Sequence, residues 1–209
     1  MADGPPSRPL ASPSLGEPLP IVAEPSTVRL LARRRSSPAQ TLAAPGPSPE
    51  ELQSLLRLGA RVPDHGKLAP WRFVVIAAPA KASLVQHFEV IAAARSDAEK
   101  ALAKLSKLRA APVTICVISR ADPAAAIPVW EQELSAGAVC MSLLVAAAAL
   151  GYGANWITDW YAYDPKAGQI LGLSEQERVA GFVHVGTPAE PPLERARPDV
   201  SSLVSYWAG

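Results

Sequence analysis

Five consecutive residues carry the strongest chemical signal in this 209-residue chain: Arg33-Arg34-Arg35-Ser36-Ser37. Guanidiniums present forked donors that match phosphate or carboxylate oxygens, and a serine hydroxyl adds a compact donor beside them. The run follows Val28, Leu30 and Leu31 on a short helical stretch, so it is either an anion grip or a solvated basic helix end meeting the dipole. A second candidate is the loop Arg61-Val62-Pro63-Asp64-His65-Gly66-Lys67-Leu68-Ala69-Pro70-Trp71, punctuated by proline and glycine and rich in polar groups. Its plain alternative is a surface loop anchored by Trp71, with His65 a structural hydrogen-bonding residue. Trp156-Ile157-Thr158-Asp159-Trp160 could wall a flat ligand or pack the core. Late in the chain, Arg195 and Arg197 occupy alternate positions in a proline-rich stretch and on extended chain point the same way. They either close an anion site or are solvated.

Other chemistries find no support. There is no G-x-S-x-G elbow, no P-loop and no G-x-G-x-x-G after a strand; Gly151-Tyr152-Gly153 follows a helix instead. His65, His87 and His184 are scattered, while Cys116 and Cys140 sit in apolar runs without C-x-x-C spacing. That excludes a zinc cluster and a disulfide scaffold, and predicts two buried free thiols. Glu131 and Glu133 face different sides of a helix and do not form a carboxylate pair. No catalytic side chain stands out, so an enzyme built this way leaves the difficult chemistry to a bound cofactor.

The elements that must position these groups follow from capping and periodicity. Ser26 begins a short helix through Arg33. Ser48-Pro49-Glu50-Glu51 is a capping box with proline at the first helical position, and Leu52, Leu55, Leu56 and Ala60 form the apolar face behind it. Helices are expected over 80–94, 97–108, 128–150 and 165–171, and strands over 72–76, 113–118, 154–158 and 179–185. The helix from Pro128 is almost wholly apolar after Glu133 and is expected to be buried nearly all round. Helices predominate around about four short strands, which is an α+β sandwich and not a regular alternation of strand and crossover helix.

Composition bounds the rest. With 49% hydrophobic residues the chain has ample core for one domain, and a net charge of +1 removes the electrostatic case for a nucleic-acid binder. Seven of the 22 prolines fall in residues 1–25, which read as a disordered extension, leaving 26–209 as the folded domain. The start lacks the apolar core of a secretory signal. Leu134–Thr158 is uncharged, but it is alanine-rich and broken by Gly151, which favours a core helix over a membrane span. A cytoplasmic protein is expected.

In order along the chain, these clusters resemble the nitroreductase family of flavoproteins. The resemblance rests on Arg34-Arg35-Ser36, Pro63-Asp64-His65-Gly66-Lys67 with Pro70-Trp71-Arg72-Phe73, Trp130-Glu131-Gln132-Glu133-Leu134-Ser135-Ala136-Gly137, and Gly186-Thr187-Pro188. It covers roughly residues 26–207 and is similar to the short, minimal subgroup. The resemblance implies an α-β sandwich whose mainly antiparallel sheet is flanked by helices, in an entwined homodimer with FMN at the subunit interface. It implies Arg34 and Ser36 on the FMN phosphate with Arg35 beside them, Arg61 and His65 lining the flavin, and Trp156, Ile157 and Thr158 passing the ring from the other subunit. Arg195 and Arg197 match a late basic pair of larger members. It implies further a ping-pong cycle in which NADH or NADPH reduces the flavin and a small acceptor (a nitroaromatic, quinone or activated alkene) takes the electrons. The same residues would equally hold flavin in a protein that only sequesters it, whereas an apolar-pocket binder without flavin leaves the arginines unexplained.

Overall fold

The computed structural model describes residues 12–209. The expected extension over 1–25 therefore lies partly outside the described residues; 12–24 are exposed and form no helix or strand, and α1 (Pro25–Arg33) starts at their end. After it come β1 (Leu42–Ala43), α2 (Pro49–Gly59), β2 (Trp71–Ala77), α3 (Ala80–Ala93), α4 (Ala98–Lys104), α5 (Ser106–Ala110) and β3 (Val113–Ser119). The chain continues through α6 (Val129–Ala149), β4 (Gly153–Ile157), α7 (Pro165–Ile170) and β5 (Arg178–Pro188), then runs without regular structure apart from a turn at Val200–Leu203.

Every strand pairing is antiparallel, and β5 is the hub. β3 lies between β2 and β5; β4 and the two-residue β1 also pair with β5. All seven residues of β3 are buried, because helices cover both faces of the sheet at that strand. Val113, Ile115 and Val117 join Leu55 of α2 and Val139, Leu143 and Ala147 of α6 in one core. Cys116 and Ile118 point the other way, into a core with Phe88 of α3, Leu108 of α5, Tyr161 and Ala167 of α7. The result is an α+β sandwich with an antiparallel sheet between helical layers.

Local rules explain the element ends. The capping box at α2 is complete: the Glu51 N–H donates to Ser48 Oγ (3.2 Å) and the Ser48 N–H to Glu51 Oε2 (2.8 Å). α6 stops at Gly151, whose φ of +84° lets Tyr152 N donate to Ala147 O at 2.8 Å and close the helix end. Tyr152 then donates its hydroxyl to Glu51 at 2.7 Å, tying the start of β4 to the start of α2.

Four expectations change. There are five strands, because β1 is too short to show a period, and β5 runs 11 residues. The helix expected over 97–108 is divided at Leu105, where the Ser106 hydroxyl donates back to Ala103 O at 2.8 Å and the turn tightens. β4 ends at Ile157, leaving Thr158 just beyond it. α6 is half-buried rather than enclosed: Trp130, Leu134 and Met141 stay exposed along one stripe. α6 is also the one helix among the described residues long and apolar enough to cross a membrane, and half of it lies in the core.

Candidate functional site

The basic cluster begins where α1 stops. The Arg34 N–H donates to Leu30 O as the last helical bond, and Arg34 itself is extended (φ −59°, ψ 138°). The chain then lies against β4: Ser37 N donates to Ala154 O at 3.0 Å, and Asn155 Nδ2 donates to Ser37 O at 3.0 Å. Gly153 leaves the room Ser37 needs, since a Cβ there would stand 2.7 Å from Ser37 Oγ. Arg35 is engaged elsewhere: its Nε donates to Leu193 O at 2.9 Å. Arg34 and Ser36 are half-buried, and no hydrogen bond or ion pair of their side chains is found among the described residues.

β4 supplies the neighbouring surface. Because Ala154 O faces Ser37, the same edge carries the main chain of Trp156 and of Thr158 at the next alternate positions. The Trp156 indole is otherwise engaged: Nε1 donates to Ala180 O at 3.2 Å, across a bulge where β5 slips between Val179 and Gly181. Gly181 makes this possible, since a Cβ there would lie 2.0 Å from the indole nitrogen. Ile157 is half-buried, and Thr158 accepts the Tyr163 hydroxyl at 2.8 Å.

The second group stands on the Arg61–Trp71 loop. His65 Nδ1 pairs with Glu131 Oε2 of α6 at 2.8 Å, with both side chains largely exposed. Asp64 is structural: its carboxylate accepts the N–H of Leu68 (3.0 Å) and of Ala69 (2.9 Å). Lys67 (φ 57°) and Ala69 (φ 45°) hold left-handed backbone that costs a residue with a Cβ energy, and such strain gathers at ligand-binding loops. Ser135 of α6 accepts from Trp71 Nε1 (3.1 Å) and donates to Pro63 O (2.7 Å). Arg120 donates to Ala69 O, and buried Gln132 fixes the adjoining 122–127 segment through Asp122 and Ile127. Arg61 is exposed at the end of α2 and borders a cleft of 290 Å³ whose other wall includes Ser12, Pro13 and Leu19.

The predicted residues thus fall into two constellations: Arg34, Ser36 and the Trp156–Thr158 edge, and separately Arg61 and His65. Among the described residues no hydrogen bond or ion pair joins the two. Glu194 touches Arg35 (3.7 Å) and Arg197 (3.0 Å), which brings Arg197 to Arg35, while Arg195 meets Glu194 through its backbone N–H. Sequence reasoning missed Glu194, Tyr163 and Asn155, none of which stands in a pattern. Glu131, which has no carboxylate partner in Glu133, is paired instead with a histidine, His65. A hollow of 870 Å³ lies against Tyr163, Leu173 and Val179, and none of the predicted site residues lines it. No group of three metal-binding side chains occurs among the described residues. Cys116 and Cys140 are free and buried, and burial pushes the Cys140 thiol up to about 12, so both are inert packing residues.

A short alanine-rich chain with this antiparallel sandwich, a basic segment beside an edge strand and a strained Asp-His loop has clear relatives. The sequence pattern of the nitroreductase family matches residues 31–187, and the chain belongs to that family. It is 35% identical over 182 residues to the Escherichia coli (strain K12) protein named "Putative NAD(P)H nitroreductase YdjA", covering 86% of this chain and 98% of that one. Among solved structures, a nitroreductase-like family protein from Bacillus cereus superposes with a TM-score of 0.78 at 21% identity, covering 91% of this chain and 100% of the other. A Bacteroides fragilis nitroreductase with bound FMN gives a TM-score of 0.65 at 20% identity over 87% of this chain and 98% of the other.

Proposed function

We propose that the chain is a cytoplasmic, FMN-dependent NAD(P)H oxidoreductase acting as a homodimer on small molecules, with residues 26–209 as the FMN-binding domain and residues 1–25 as an extension outside it. One observation carries this reading: the side chains of half-buried Arg34 and Ser36 have no hydrogen-bond or ion-pair partner among the described residues, and the next residue, Ser37, lies against β4 through Ala154 and Asn155. A guanidinium and a hydroxyl fit a phosphate terminus, and the main chain of Trp156 and Thr158 offers donors and acceptors to a flat heterocycle lying along the edge. The family's relatives support the choice of cofactor, being named NAD(P)H nitroreductases or holding FMN.

When bound, FMN would supply a two-electron relay in a ping-pong cycle, taking hydride from NADH or NADPH and passing electrons to an acceptor such as a nitroaromatic, quinone or activated alkene. The residues of this chain bind and orient. Arg34 and Ser36 fix the phosphate, with Arg35 beside them and Arg195 and Arg197 adding positive charge. Trp156, Ile157 and Thr158 set the height of the ring along β4. No hydrogen bond or ion pair joins Arg61 or His65 to that edge among the described residues, and a second copy would supply the loop that completes the pocket. The open faces fit such a partner: Trp130, Leu134 and Met141 on α6, Val28 and Leu31 on α1, and Tyr206 and Trp207 near the C-terminus all expose apolar surface.

The test is the double variant Arg34→Ala/Ser36→Ala. Loss of two charge-assisted contacts weakens FMN binding by about 10²-fold or more, read as flavin occupancy after desalting. Full occupancy in the double variant overturns the phosphate assignment.

A further inference from the structure

Residues 189–199 follow β5 as extended chain with prolines at 191, 192 and 198. Their path is set at two points. Ala189 N donates to Thr41 O at 2.9 Å, and Leu193 O accepts from Arg35 Nε at 2.9 Å. At the second point one oxygen, Glu194 Oε1, gathers everything nearby. It accepts from the Arg195 N–H (2.7 Å) and from Arg197 Nε (3.1 Å), and stands 3.7 Å from Arg35 Nε. Arg35 is fairly well covered there, with its side chain 21% exposed, and it stands between Arg34 and Ser36 in the chain.

We propose that Glu194 is a positioning residue that clasps the C-terminal segment onto Arg35, so that this segment forms a wall beside the phosphate grip. The inference rests on the phosphate assignment to Arg34 and Ser36 and divides the basic cluster in two. Arg34 and Ser36 serve the ligand. Arg35 and Arg197 serve the clasp. A proline-stiffened segment needs few such ties, because little backbone freedom remains to be lost. The arrangement also keeps the added positive charge of Arg197 near the grip without placing it on the phosphate. The Arg195 N–H and then the Arg197 guanidinium hold the Glu194 carboxyl below its ordinary range.

The experiment uses the full-length chain carrying Ala196→Cys as a spin-label site; Cys116 and Cys140 are fully buried and do not compete for the label. Label mobility reports docking of the segment, and the rate of FMN loss on dilution reports its effect on the pocket. Glu194→Gln is expected to mobilise the label and to speed FMN release about two- to fivefold, the range for exposed ion pairs. Arg35→Gln is expected to mobilise the label as Glu194→Gln does, and the double variant to be no more mobile than either single one, which two independent destabilising changes would not give. An immobile label in Glu194→Gln overturns the proposal. Slower FMN release in that variant also overturns it, because Glu194 would then be a competitor for the phosphate's arginines. If Arg34→Ala/Ser36→Ala retains FMN, the pocket assignment fails while the label still reports the clasp, so the two failures are distinguishable.

Discussion

Glu177 and His184 set the acid stability of the domain by different means. Arg72 donates to both oxygens of Glu177, from Nε (2.6 Å) and from a terminal nitrogen (2.8 Å), joining β2 to the turn before β5. That hydrogen bonding holds the Glu177 carboxyl down to about 2. His184 is fully buried, with Nδ1 on Thr114 Oγ1 (2.9 Å) and Nε2 without a partner, and burial followed by the Lys81 and Lys107 charges pushes it down to about 3. Both groups bind fewer protons folded than unfolded. His184 therefore contributes a loss of stability as pH falls from its ordinary 6.5 towards 3, and Glu177 a loss from 4.5 towards 2. The melting temperature is expected to decline steadily below about pH 6.5, without a plateau at pH 5. Glu177→Gln is expected to cost about 1–3 kcal/mol at pH 7, with the deficit closing near pH 2. Thermal melts of both proteins across pH 2–7 read this directly, and a constant deficit over that range contradicts it.

At the scale of elements, the strands and long helices were legible because their signals are local. The β-branched run at 113–118 and the capping box at Ser48 need no tertiary information, and both stand within a residue or two of expectation. What was not legible depends on distant partners. Nothing near Gly181 announces that Trp156 lies over it, and nothing near Glu194 announces Arg35, because those contacts join elements far apart in the chain. The Asp-His loop was read as a place for binding groups, but the work of Asp64 within it shows only in three dimensions. With Lys67 and Ala69 already in left-handed backbone, the two N–H groups on Asp64 are what hold the turn. Asp64→Ala is expected to cost about 1–2 kcal/mol by analogy with a lost cap, and to release His65 from Glu131. Hydrogen exchange at Leu68 and Ala69 checks it: unchanged protection there means the turn is held by something else.

At the scale of the whole molecule, the proposed homodimer accounts for two features. α6 is buried on one side and bare on the other, and among the described residues no hydrogen bond or ion pair joins the two constellations proposed to hold the flavin. An exposed stripe of Trp130, Leu134 and Met141 is costly for a lone domain and ordinary for a subunit. Met141→Glu is expected to yield monomer in analytical ultracentrifugation and to lose FMN although no proposed flavin contact is altered. A monomeric variant that keeps its flavin would place the whole pocket in one chain.

The proposed binding of FMN and passage of electrons through it are tested by the visible spectrum of the desalted protein, followed without oxygen as NADH and then NADPH is added. A yellow protein whose flavin band bleaches on mixing is the expected result, and the faster nucleotide identifies the donor. A yellow protein that does not bleach with either nucleotide contradicts the oxidoreductase reading and leaves a flavin-holding protein. A colourless protein that takes up no added FMN contradicts the cofactor assignment itself.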